Sequence, residues 1–183
     1  DTGDIRKGST FEQDGRLLKV VDFSHNKQGR GSAQLRMSLR DLRTGSLTQQ
    51  TVMAGTKFNA IRLERRHVQL LYRDGDDFHF MDTETFDQIQ LPASTVGDAA
   101  NYLKDNDTLD VLSYEDEPID IELPTSVVLT VTQTDPGFKG DTATGGSKPA
   151  TLETGLVVSV PLFVSEGDQI KVDTRTGDYI ERA

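Results

Sequence analysis

The chain has 183 residues, 34% of them hydrophobic, with no Cys, no Trp and a formal net charge of −10. That length fits one large domain or two to three small ones with aliphatic cores. The missing Cys excludes disulfides and thiolate metal sites and fits a reducing, cytoplasmic setting, and no run is long and apolar enough for a membrane helix, because 156–164 is broken by Ser159 and Pro161.

Strand signals dominate from the start. The first run is 17–23, Leu-Leu-Lys-Val-Val-Asp-Phe. A basic loop follows, Asn26-Lys27-Gln28-Gly29-Arg30-Gly31-Ser32, and then a second run, 34–40. In that run Leu35, Met37 and Leu39 alternate with Arg36, Ser38 and Arg40, a period of two with apolar residues inward. The loop therefore reads as a hairpin tip. Gly29 and Gly31 flank Arg30, so the backbone can turn through positive φ on either side and hold the guanidinium out. Nothing apolar nearby would bury it. A solvated turn explains Gly and Asn equally well, and a lone cation at a tip also suits a phosphate backbone.

Arg43-Thr44-Gly45-Ser46 reads as a turn into a strand at 47–52. Short strands continue at 68–72, 78–81, 89–91, 109–114, 119–123, 127–131, 156–163 and 169–172, separated by Gly, Asp and Pro. Val96, Ala99, Ala100 and Leu103 give one helical stripe, with Ser94 or Thr95 as its cap. Many short strands at regular spacing predict small barrels.

Charge is unevenly placed. Residues 1–62 hold 11 Lys/Arg against 6 Asp/Glu, residues 63–123 hold 4 against 16, and residues 124–183 hold 5 against 8. The flip near Leu63 and the break at Pro124 divide the chain into modules 1–62, 63–123 and 124–183. A basic end suits nucleic acid, and an acidic middle would face basic protein.

The chemical motifs are negative. Asp74-Gly75-Asp76-Asp77 begins like a calcium loop, but His79 and Thr85 stand where Gly and Glu are required. The stretch from Gly140 to Lys148 resembles a phosphate loop, yet Ser147 breaks the spacing and no helix follows. It reads as a long loop between strands, a kind that is often functional. His25, His67 and His79 have no metal spacing. No catalytic residue, metal site or cofactor is assigned, and no enzyme is expected.

Several stretches together resemble the bacterial translation elongation factor P family over essentially the full length. They are Asp4-Ile5-Arg6-Lys7-Gly8, the Lys27–Gly31 loop, Leu42-Arg43-Thr44-Gly45, Glu64-Arg65-Arg66, Leu71-Tyr72-Arg73-Asp74-Gly75 and Phe80-Met81-Asp82. The last third matches best: Pro136-Gly137-Phe138-Lys139-Gly140-Asp141-Thr142, Lys148-Pro149-Ala150-Thr151-Leu152-Glu153-Thr154-Gly155, Val160-Pro161-Leu162-Phe163 and Asp173-Thr174-Arg175-Thr176-Gly177-Asp178-Tyr179.

The resemblance implies an all-β chain of three small barrels in an elongated, tRNA-like arrangement. The first would be SH3-like (KOW-like) and the next two OB-type. It implies a cytoplasmic, monomeric factor that binds both ribosomal subunits between the peptidyl and exit sites and relieves stalling at consecutive prolines. Arg30 falls on the family's tip position, which reaches the CCA end of peptidyl-tRNA, with Lys27, Gly29 and Gly31 as the supporting loop. Family members carry Lys or Arg there, some β-lysylated and some rhamnosylated. Arg30 excludes lysylation. Gly31 departs from the Asn of rhamnosylated members and Gln28 from a frequent Pro, so an enzyme modifying Arg30 stays open. Gly140, Asp141 and Thr142 match the loop that meets exit-site mRNA. Tyr179 and Arg182 match residues near the small subunit and the tRNA anticodon stem. Two alternatives remain: a paralogue of the same shape with another ribosomal duty, and a general single-stranded RNA-binding protein, which would need aromatic stacking.

Overall fold

The computed structural model describes residues 1–27, 29–137 and 145–183. The chain is all-β as expected, with three five-stranded sheets among the described residues. The first sheet holds β1 (Thr10–Gln13), β2 (Arg16–Asn26), β3 (Gln34–Asp41), β4 (Leu47–Met53) and β5 (Asn59–Ala60), in the order β4-β3-β2-β1-β5. The second holds β6 (Glu64–Asp74), β7 (Asp77–Asp82), β8 (Gln88–Pro92), β9 (Thr108–Tyr114) and β10 (Glu117–Glu122), in the order β10-β9-β6-β7-β8. The third holds β11 (Ser126–Thr134), β12 (Ser147–Leu152), β13 (Val157–Pro161), β14 (Gln169–Asp173) and β15 (Tyr179–Arg182), in the order β13-β12-β11-β14-β15.

The chain divides into two compact units, Asp1–Arg66 with Val111–Asp120 and His67–Asp110 with Ile121–Ala183. In the first unit the period of two on β3 becomes burial. Leu35, Met37 and Leu39 enter one core with Ile5, Phe11, Leu18 and Val20. A bulge falls between Val20 and Asp22 in the β2–β3 register. It leaves Val21 exposed, and bulges sharpen local twist. Leu17 and Leu18 are both buried although they point to opposite sides of β2. Leu18 fills the main core, and Leu17 joins a second cluster with Leu42 and Ile119. Beside that cluster Lys19 Nζ donates to Asp120 Oδ2 at 2.8 Å, on a carboxylate side chain only 4% exposed. Arg43 meets Glu117 twice, Nη2 to Oε2 at 3.1 Å and Nε to Oε1 at 3.4 Å.

The second unit has its own aliphatic core, from Leu129, Val131, Leu152, Val160, Ile170 and Val172 with smaller neighbours. The expected helix is corrected here. Only Ala93–Val96 is α-helical, and Gly97–Tyr102 continues as 3-10 helix. Gly97 sits at φ 58°, which an α-helix does not admit, so the stripe from Val96 to Leu103 is broken at its second residue. The N-cap is Pro92, without a side-chain bond, rather than Ser94 or Thr95. Lys148 also departs from the reading as loop. It is the second residue of β12 and buried, and its Nζ donates to the Asp135 carbonyl.

Candidate nucleic-acid interface

The β2–β3 ladder runs from Leu18↔Asp41 to Asn26↔Gln34, and the tip lies beyond that last pair. Gly29 takes φ 56°, with nothing within 4 Å of where a Cβ would stand. The glycine is therefore required by conformation and not by space. Gly31 is not among the left-handed residues, so the turn needs positive φ on one side of Arg30 rather than both. Lys27, Gly29, Arg30 and Gly31 are all exposed. Among the described residues, neither Lys27 nor Arg30 makes a hydrogen bond or ion pair. Among the described residues Arg30 thus keeps all five guanidinium donors free, in the planar fork that matches phosphate.

Of the other outward cations, those at the base of the hairpin are ion-paired. Arg36 Nη2 donates to Gln49 Oε1 at 2.5 Å. Arg40 is half-buried opposite Lys19. Lys19 itself is held by Asp120, and Arg43 by Glu117, whose hydrogen bond and charge raise the guanidinium pKa above its ordinary value. Phe23 and His25 meet edge to face at 5.7 Å on the strand leading to the tip.

The predicted residues at the other end of the chain lie on β15. Tyr179 is half-buried against the core of the second unit. It also lines an apolar recess of about 470 Å³ with Pro161 and Phe163. Arg182 Nη1 lies 3.8 Å from Asp168 Oδ2, and its guanidinium sits 5.3 Å from the Phe163 ring centre. Gly140, Asp141 and Thr142 lie outside the described residues. Gly137, the last described residue before them, is tightly placed: a Cβ there would come 2.3 Å from the Leu162 carbonyl oxygen, so only glycine fits.

Two features escaped sequence reasoning. His67 Nδ1 and Asp110 Oδ1 pair at 2.8 Å, 43 residues apart. Tyr72, half in solvent, stacks on His79 with ring centres 4.4 Å apart and planes at 16°. The β6–β7 register, with its slip between Leu70 and Tyr72, puts these two rings opposite each other. Only the pairing of two strands could have shown that. Among the described residues no group of three His, Asp or Glu is placed to hold a metal ion, and no helix is long and apolar enough to cross a membrane.

Comparison with known proteins agrees with this architecture. Residues 1–58 match the elongation factor P KOW-like domain, residues 63–121 its OB domain and residues 127–182 its C-terminal domain. The chain is 54% identical over 182 residues to elongation factor P of Moorella thermoacetica, covering 100% of this chain and 98% of that one. It is 51% identical over 181 residues to elongation factor P of Pelotomaculum thermopropionicum, covering 99% and 98%. A solved structure of eukaryotic translation initiation factor 5A from Methanococcus jannaschii is 22% identical with TM-score 0.47, covering 61% of this chain and 82% of that one, a likeness too partial to bear on function. Three consecutive domain matches and half-identical relatives of the same length place the chain in the elongation factor P family of translation factors.

Proposed function

We propose that the chain binds the ribosome between the peptidyl and exit sites and uses Arg30 to hold the CCA end of peptidyl-tRNA. In that role it stimulates peptide-bond formation and relieves stalling at consecutive prolines. The observation that supports this reading is the tip itself, an exposed guanidinium with no partner among the described residues, on a left-handed glycine turn at the end of a long ladder. The bond-forming chemistry belongs to the ribosome, and this chain supplies position. Restricting a reactant to attack geometry recovers part of the orientation cost, up to roughly 7–11 kcal/mol in the best systems. A rate gain of about 10² needs only ~2.7 kcal/mol. Arg30 can make two charged bonds to one phosphate and stack on a base, and Lys27 adds a weaker, salt-dependent contact. Gly140, Asp141 and Thr142 would meet exit-site mRNA, and Tyr179 and Arg182 the small subunit and its tRNA. The three modules 1–62, 63–123 and 124–183 would act as one monomeric factor.

The test is reconstituted translation of a Pro-Pro-Pro reporter without factor, with the unmodified protein and with Arg30→Ala. Relief by the unmodified protein and none by the variant is the expected result. If neither relieves the stall while both bind ribosomes, Arg30 requires covalent modification. If neither binds ribosomes, the ribosomal role of this chain is refuted.

A further inference from the structure

Among the described residues the same six-residue turn occurs three times. It is Asp41-Leu42-Arg43-Thr44-Gly45-Ser46 after β3, Asp82-Thr83-Glu84-Thr85-Phe86-Asp87 after β7, and Asp173-Thr174-Arg175-Thr176-Gly177-Asp178 after β14. Its bonds repeat as well. The Asp Oδ1 accepts from the backbone N–H two residues on, at 2.9, 2.8 and 2.8 Å. The Thr Oγ1 accepts from the sixth residue's N–H at 3.2, 3.3 and 3.2 Å. The fifth residue's N–H donates to the Asp carbonyl at 2.7, 2.9 and 2.8 Å.

That fifth residue is left-handed in every copy, at φ 77° for Gly45, 61° for Phe86 and 79° for Gly177. Glycine adopts this backbone freely, whereas a bulky side chain there is a true outlier. Phe86 is 69% exposed, and no ring or cation contact to it exists among the described residues. A single exposed phenylalanine is unremarkable by itself. An exposed phenylalanine held in a conformation that two sister turns give to glycine points to a contact outside the chain.

The surroundings select the partner. From Asp74 to Pro92 the chain has six carboxylates and no Lys or Arg, and Glu84 and Asp87 flank the ring exposed. Arg65 and Arg66 enter the same sheet ahead of Val68, so the surface is acidic in balance rather than uniformly. Phosphate backbones are repelled by such a rim, and Lys/Arg-rich protein is attracted. We propose that Phe86 is the anchor of a protein-docking site, inserting into an apolar pocket ringed by basic residues on a ribosomal protein, with Glu84 and Asp87 pairing with that ring. An aromatic anchor inside a polar rim is the usual anatomy of a small interface. The proposal rests on the ribosomal reading above.

Phe86→Gly and Phe86→Asn restore residues that tolerate the left-handed turn. Both should keep or raise the urea midpoint while weakening association with purified ribosomes about tenfold. A photo-crosslinking phenylalanine at position 86 should give an adduct with a basic ribosomal protein. If the native protein binds ribosomes and both variants bind equally well, the anchor is refuted and the ribosomal reading stands. A lowered urea midpoint in both variants also refutes it, because the ring would then serve the fold. An adduct with RNA or with a second copy of the chain refutes the protein partner. A native protein that does not bind ribosomes at all refutes the ribosomal reading, and this proposal with it.

Discussion

The two ends of the β2–β3 hairpin carry the same kind of residue to opposite purposes. At the base, Lys19 and Arg43 are spent on Asp120 and Glu117, beside a cluster of Leu17, Leu42 and Ile119. At the tip, Lys27 and Arg30 have no partner among the described residues. Cations at the base are structural and cations at the tip are available. Net charge hides this difference, because the first 62 residues count all four alike.

The sharpest test of the base is Leu17→Ala, which empties a side chain that is 1% exposed. It should cost about 3 kcal/mol in urea unfolding, within the usual range for such truncations. A loss below about 1 kcal/mol would mean that the second cluster holds nothing together. At the tip, Arg30→Ala should lower stalled-reporter turnover about 10²-fold, equivalent to ~2.7 kcal/mol. Its unfolding free energy should stay within about 0.5 kcal/mol of the native value. A comparable fall in stability would erase the distinction between the two ends. Lys19→Met removes the ammonium that meets the Asp120 carboxylate. The full penalty for breaking a buried pair is about 3–5 kcal/mol, and the partial exposure of Lys19 and the further interactions of Asp120 reduce it to roughly 2 kcal/mol. Gly29→Ala forces a Cβ into left-handed backbone and should cost about 1 kcal/mol, with Arg30 re-aimed and activity reduced. The smallest effect is on pH. Hydrogen bonds from Arg175 hold the Asp173 carboxyl below its ordinary pKa. Its contribution is present above the unfolded pKa and is lost as pH falls through the lower folded value. Acid titration of Asp173→Asn should therefore show a slightly shallower loss of stability than the native chain.

Strands with strict alternation were legible in the sequence. Leu35, Met37 and Leu39 announce β3 and its buried face without help from the rest of the chain. Elements with little periodic signal were not. β1 has one buried apolar residue, Phe11, and β5 is two residues long. β12 begins inside what reads as a Gly/Thr-rich loop, and β15 exposes most of its residues. These strands exist because a neighbour offers a hydrogen-bonded edge, which no local pattern encodes. The tip was readable for the opposite reason: its glycines and its lack of apolar neighbours are local facts. The Lys19–Asp120 pair spans 101 residues and could only come from the fold. The anomaly at Phe86 lay in the sequence as a third copy of an Asp-x-x-Thr turn. It acquires meaning only when the three turns are seen to share one backbone.

The exposed tip also has a metabolic side. Lys27 and Arg30 sit on an accessible turn outside the ladder, which is where a trypsin-like protease cuts first. A single cut there would leave eight register pairs, from Leu18↔Asp41 to Asn26↔Gln34, still holding both halves together. The nicked molecule would keep its fold and its core while losing the continuity of its tip. A break at the tip would therefore pass any assay of folding and show only in a denaturing gel or an intact mass.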